Sequence, residues 1–403
     1  MTPLARPRRS LPASDFAQRL ALGLACLLAL AGCAAPQRDE GVPGVGTLHL
    51  IGQQQLPWRM TVQGTTVGGL SGIDHDPARQ AFLMISDDRS ARDTPDPARL
   101  YWARLHYDLQ GFHAVEMLSS VPLRQADGST HAKLPEADAP DPEGVRIDRA
   151  TGHLVWISEG DRVTAAEGPA ESLVQPFIRE ARQDGHPLRD YELPAMFRIQ
   201  AQAAGPRRNA VFEGLSFSAD GRELAVMMEG PRFEDGPAPS PGQGGLARLS
   251  FFDRASGRLL RQHAVELDPV RSAPSPPAGF SVNGATEILA LDATRYLMLE
   301  RSYAAGDVDY RVQLHVIDTR GADEVQDRPR LVPGGQVPVR KHLLLDFDRL
   351  RGRLGGIANL EGLSWGPRLA NGHASLVVVA DDNFTPRPSA RDRNQILVFE
   401  LRP

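Results

Sequence analysis

Thiol chemistry is almost missing from this sequence, whose 403 residues include two cysteines, Cys26 and Cys33. Both belong to an N-terminal leader in which "RPRR" precedes the apolar run "LALGLACLLALAGC". The run is too short to span a bilayer comfortably and ends in small residues, as an export signal does. If Cys26 leaves with the leader and Cys33 is consumed at its end, the remaining chain has no disulfide, no thiolate zinc site and no cysteine nucleophile. No second long apolar run follows, so no transmembrane helix is expected. A basic surface is also lacking: the formal charge is −5, and it becomes −8 without the leader, which carries four Arg and one Asp. A nucleic-acid partner is therefore not expected, because phosphate backbones bind positive surfaces. The one Gly-x-Ser-x-Gly string after the leader, Gly362-Leu363-Ser364-Trp365-Gly366, falls within the first strand-like run of a repeat unit rather than on a strand-to-helix turn, which argues against a serine-hydrolase triad. The segment "GPAPSPGQGG" has no phosphate-loop Lys and reads as a flexible insertion.

Leu30-Ala31-Gly32-Cys33 resembles the lipobox of bacterial lipoproteins. The resemblance implies cleavage before Cys33, acylation of that residue and attachment to the membrane through its lipid. Ala34, where inner-membrane lipoproteins of this kind carry Asp, implies the periplasmic side of the outer membrane. Residues 1–32 are then a signal peptide, 33–45 a lipidated tether and 46–403 one folded domain.

What is present is Gly (38) and Pro (33) in abundance and a recurring unit. Five segments align: "GGLSGIDHDPARQAFLMISDDR" (68–89), "DPEGVRIDRATGHLVWISEGDR" (141–162), "VFEGLSFSADGRELAVMMEGPR" (211–232), "NGATEILALDATRYLMLERSY" (283–303) and "NLEGLSWGPRLANGHASLVVVADDNF" (359–384). With Ser71, Glu143, Glu213, Glu287 and Glu361 as equivalents, the intervals are 72, 70, 74 and 74 residues. Each unit reads as strand, tight turn, strand, as in "EGLSF", "SADGR", "ELAVMME". Further strand-like runs lie between units: "LARLSFFD", "RLLRQHAVEL", "YRVQLHVID" and "KHLLLDF". About four strands per period make a propeller blade. The fold expected is all-β, a β-propeller of four-stranded blades with five repeats visible and six possible. Its ring is closed by the N-terminal "GTLHLIGQQ" and the C-terminal "NQILVFEL". The period exceeds the roughly 40–50 residues of compact propeller repeats, so long loops are expected. They include a helical-looking insertion at 165–185 and a Pro-rich one at 231–245, either of which would set substrate size if it overhung the site.

Acids recur at both ends of the unit. The first strand starts at Glu143, Glu213, Glu287 or Glu361, and the second ends at Asp87, Glu159, Glu229, Glu300 or Asp381. In an antiparallel hairpin these positions share one sheet edge, so the nine carboxylates are expected around one mouth of the channel. Their repulsion needs compensation by raised pKa values, cations or nearby bases. Arg89, Arg162, Arg232 and Arg301 follow the second acid by one to three residues, and Arg146 lies inside the second unit. These arginines serve either as blade-to-blade ion pairs or as substrate contacts. Oxygen ligands without Cys favour calcium, or magnesium, over zinc. The candidate metal ligands are Glu143, Glu159, Glu213, Glu229, Glu287, Glu300, Glu361 and Asp381.

Glu143-Gly144-Val145, Glu213-Gly214-Leu215 and Glu361-Gly362-Leu363 resemble the recurring motif of the esterase-like, phytase-like family of exported bacterial proteins, over about residues 65–400. Glu287-Ile288-Leu289 lacks the Gly and Ser71-Gly72-Ile73 lacks the acid. The resemblance implies a propeller, often six-bladed, and hydrolysis of phosphoesters or other esters carried by these acids. Glu143, Glu213 and Glu361 are then ligands or a general base, Glu159, Glu229 and Asp381 complete the shell, and Arg162 and Arg232 meet a small anionic ester substrate. Two other readings are a calcium-dependent lactonase-like propeller and a non-catalytic binding propeller at the cell envelope. His75, His131, His153 and His373 fall in or beside turns and read as exposed. No oligomerisation segment is recognisable.

Overall fold

A computed structural model describes residue 42 and residues 44–403, apart from 90–92, 135, 137, 138, 169 and 170. The expected signal peptide, Cys33 and most of the tether lie outside the described residues. Five antiparallel four-stranded sheets follow one another along the chain. Blade I comprises Leu70–Asp76, Ala81–Ser86, Arg99–Tyr107 and Phe112–Pro122. Blade II comprises Pro142–Ile147, Leu154–Ser158, Phe177–Ala181 and Pro187–Asp190, and blade III comprises Phe212–Phe217, Glu223–Met228, Gly245–Asp253 and Leu259–Leu267. Blade IV is Ser281–Ala290, Arg295–Ala304, Arg311–Asp318 and Arg340–Asp346. In blade V, Asn359–Trp365, Ala374–Asp381 and Gln395–Arg402 are completed by the N-terminal strand Thr47–Gln55, paired from Thr47 opposite Arg402 to Gln55 opposite Gln395. The ring therefore has five blades, not six, and closes as the sequence implies.

The first two strands of each blade are almost wholly buried, as in Leu154–Ser158 and Ala81–Ser86. Continuous apolar runs such as "LVWIS" suit a strand covered on both faces. The turns that join them use side-chain oxygens to catch the chain two residues on: Asp76 accepts from the Ala78 N–H at 2.9 Å and Asp148 from Ala150 at 2.8 Å. The core lies between sheets rather than at the centre. Leu215 and Val226 of blade III, for example, pack in one cluster with Ile157 of blade II and Ile288 of blade IV.

Glycine sets how closely the innermost strands approach. A Cβ at Gly72 would lie 2.8 Å from the Glu143 carbonyl oxygen of the next blade, and one at Gly214 would lie 2.9 Å from the Ile288 nitrogen. Gly144 and Gly362 face Glu213 and Ser71 in the same way. Both separations are shorter than a carbon side chain tolerates, so in blades I, II, III and V this position favours Gly.

One expectation fails locally. The 165–185 segment contains no helix among its described residues; it holds Ser172–Val174 and then Phe177–Ala181, the third strand of blade II. Phe177, Ile178 and Val174 are better strand formers than helix formers, and pairing with Leu154–Ser158 decides the outcome.

Candidate functional site

The register of the inner hairpins fixes which side chains reach the mouth. In every blade the pairing of first and second strands slips at one point: between Leu70 and Gly72, Pro142 and Val145, Phe212 and Gly214, Ala285 and Glu287, and Leu360 and Gly362. Such a bulge leaves a residue unpaired and re-aims it. The residues so placed are Ser71, Glu143, Glu213, Thr286 and Glu361. Thr286, not Glu287, is therefore the counterpart of Glu213, and Glu287 occupies the place of Gly214. The same register sets Ser86, Met228, Glu300 and Ala380 opposite the residue before the bulge. The counterpart of Asp87, Glu229 and Asp381 in blade IV is then Arg301, not Glu300. The sequence alignment was one residue out in blade IV at both ends of the hairpin.

The mouth is a cavity of about 400 Å³ that gathers Asp87, Glu143, Glu159, Glu213, Glu229, Glu361 and Asp381, together with Arg89 and Arg301. Six of the eight sequence-predicted metal ligands thus meet in one place. Three groups bring their oxygens within 4.8 Å of one another: Asp87, Glu361 and Asp381; Asp141, Glu143 and Glu159; and Glu159, Glu213 and Glu229. Asn359 bridges the first group, donating to Glu361 at 2.8 Å and Asp381 at 3.0 Å. Arg301 reaches Glu229 at 2.9 Å and Glu361 at 3.5 Å, while Arg89 pairs with Asp141.

Eight carboxyl groups, all buried except the half-buried Asp87, thus share two guanidiniums, and the electrostatics follow. Burial first, then neighbouring carboxylates, raise Asp87, Glu143, Glu159, Glu213 and Asp381 well above the usual carboxylate range. Burial also raises Glu229, to about 7, although Arg301 opposes the shift. Such a cluster holds protons, or else hard cations, at neutral pH. The donor set fits a hard cation: it is all oxygen, and the buried Asp87 Oδ1 and Asn359 Oδ1 have no hydrogen-bond partner in the protein.

The remaining predicted residues lie elsewhere. Glu287 sits on the channel axis, paired with Arg146 at 2.7 Å and accepting from the Leu215 N–H at 2.8 Å. Glu300 is turned away from the mouth, toward Lys341 at 2.9 Å, and groups with Asp268 and His315. Arg162 does not line the mouth. It binds the Gln200 and Ala201 carbonyls, both at 2.9 Å, and stacks on Phe233. Arg232 is held between Asp235 at 2.9 Å and the Pro329 carbonyl at 2.8 Å. Both are loop anchors because the chain leaves the sheet just before them, whereas the second strand of blade IV continues through Arg301. His75 and His131 are buried rather than exposed, and His153 and His373 pair with Glu180 and Glu400, each at 2.7 Å. The 231–245 insertion contributes Pro231, Ala238 and Pro239 to the mouth; the described residues of the 165–185 segment contribute nothing to it. Residues not singled out from the sequence are Asn359, Tyr303, Tyr310, Phe280 and Arg391. Asp141, two residues before Glu143 as Asn359 is two before Glu361, carried a signal that the E-G motif obscured.

The family described as "Phytase-like: Esterase-like activity of phytase" matches residues 65–384. The chain belongs to that family. Its phytase-like membership covers all five inner hairpins, and the bulged E-G positions described above lie inside the match. No curated protein matches the chain. Among solved structures, a periplasmic gluconolactonase of Pseudomonas aeruginosa is 15% identical, with 84% of this chain and 87% of that chain covered and a TM-score of 0.36. A gluconolactonase of Xanthomonas campestris is 13% identical, with coverages of 89% and 98% and a TM-score of 0.34. An endo-1,4-beta-xylanase of Bacteroides thetaiotaomicron is 10% identical, with coverages of 84% and 92% and a TM-score of 0.42. Likeness at this level adds nothing to what the strand order already shows. No helix of the described residues is long and apolar enough to cross a membrane.

Proposed function

We propose that the acidic mouth is the active site of a metal-dependent hydrolase of anionic esters, with phosphoesters the first substrates to try. The observation that supports this reading is the convergence of eight carboxyl groups, seven of them buried, in three groups at ligand separation, beside Arg89 and Arg301. A calcium-type cation, when bound, would polarise an ester oxygen and make a water nucleophilic at neutral pH. Glu143, Glu159, Glu213 and Glu229 would hold a cation on one side of the mouth, and Asp87, Glu361 and Asp381 on the other. Arg301 and Arg89 would meet the charge of the ester, the task that the sequence assigned to Arg162 and Arg232. With a cation beside it favouring the ionised form, a carboxylate such as Glu213 would be placed to take a proton from water. By this reading the protein works on the periplasmic side of the outer membrane, tethered through lipid on Cys33.

The test is a turnover assay on the full chain, stripped with chelator and then titrated with calcium, magnesium or manganese. The panel holds a phosphomonoester, a phosphodiester and a lactone. Cation-dependent hydrolysis of a phosphoester, lost in Glu213→Gln, is expected. Hydrolysis of the lactone alone would replace this reading with a lactonase, and hydrolysis of none would leave a binding propeller.

A further inference from the structure

The mouth is not uniform around its rim. On the side of blade IV it is walled by rings: Phe280 and Tyr303 have centroids 6.3 Å apart, and Tyr303 and Tyr310 5.2 Å. All three line the same cavity as the acids. They step downward, from Phe280 at 67% exposure, through the half-buried Tyr303, to Tyr310 at 7%. Tyr310 is fixed at the bottom by its O–H, which donates to Asp392 at 3.0 Å, and Arg391 braces Tyr303 by donating to its hydroxyl at 2.6 Å. Phe280 alone has no polar anchor and lines the cavity while largely open to solvent.

The same blade supplies Arg301. Blade IV therefore offers an anion contact together with an aromatic wall, and the rest of the described lining, which includes Arg89, Arg207 and Arg208, adds no further ring. A cavity of about 400 Å³ is at the small end of ligand sites and accommodates one ring with one anionic group.

We infer that the ester accepted by this mouth is an aryl one, its anionic group directed to Arg301 and the acids and its ring laid against Phe280 and Tyr303. The inference rests on the hydrolytic reading for the word ester, but its physical content is binding. Stacking of this kind discriminates a ring from a methyl group by about tenfold in affinity. A polyol carrying many phosphates is disfavoured, because it would set charge against the wall.

The experiment compares phenylphosphonate with methylphosphonate, neither of which can be hydrolysed, by calorimetry on the full chain with calcium present. Phenylphosphonate is expected to bind about tenfold tighter. Phe280→Ala should collapse that ratio toward one and Phe280→Trp should keep or widen it. Turnover of phenyl phosphate against glycerol phosphate is measured in parallel, where Phe280→Ala should raise KM for the aryl ester. Equal affinity for the two phosphonates, or a ratio untouched by Phe280→Ala, overturns the inference even if esters are hydrolysed. A ratio that collapses as stated upholds it even if no ester is hydrolysed, in which case the hydrolytic reading alone fails.

Discussion

Blades III and IV stand side by side on the same plan of four strands and a bulged inner hairpin, yet they present opposite chemistry to the mouth. Blade III delivers Glu213 from its bulge and Glu229 from the end of its second strand; blade IV delivers Thr286 and Arg301 from the same two places. The backbone is shared, and one step of sequence decides charge. The difference shows that the fold supplies positions, and that the ring of acids is broken on purpose at the blade that carries a cation and aromatic rings.

The sharpest way to break the comparison is to neutralise blade III. Glu213→Gln should cut turnover by about 10²–10⁴-fold while the denaturation midpoint holds or rises, because the carboxyl it replaces is disfavoured as an anion. A packing role for Glu213 would show the reverse, lost stability with activity in proportion to folded protein. On the other side, Arg301→Ala leaves Glu229 and Glu361 without their shared guanidinium. In chelator at about pH 8 this should cost about 3 kcal/mol of stability by denaturant titration, and less at about pH 5, where the carboxyls hold protons.

The cluster as a whole sets a pH dependence whose sign is fixed by the raised Glu229. Its carboxyl moves from 4.5 to about 7 on folding, so the stabilisation it contributes is complete below about 4.5 and lost as pH rises through about 7. Without metal, Tm should fall between about pH 5 and pH 8, and calcium should raise Tm more at the higher pH. A flat profile in chelator would mean that the acids are already compensated within the protein. The smallest effect is expected from Arg162→Ala, which loosens a loop outside the mouth and should leave kcat/KM within about threefold.

Much of this was legible in the sequence. The repeat of "EGV" and "EGL" followed by a turn and a second apolar run marked the blades, and the five visible units are the five blades, because every blade begins with the same bulged hairpin. Six of the eight acids meet in one cavity because strand ends share an edge wherever the register is the same. Blade IV escaped because Thr286-Glu287-Ile288 stands where Glu213-Gly214-Leu215 stands in blade III, and identity of residue type drew Glu287 one position off. Register is a property of two strands pairing, and no single strand reports it. Arg162 and Arg301 follow their units alike in sequence, but one strand stops short and the other runs on, which only the third strand of each sheet decides.

Arg146 and Glu287 meet on the axis below the acids, and Arg146 also donates to Ile73 of blade I and Ile288 of blade IV. The cavity on the far side, to which Arg146 belongs, shares no lining residue with the mouth. One buried ion pair therefore ties four of the five blades together, since Glu287 also accepts from Leu215 of blade III, so a change that unseats either partner strands a charge on which all four depend.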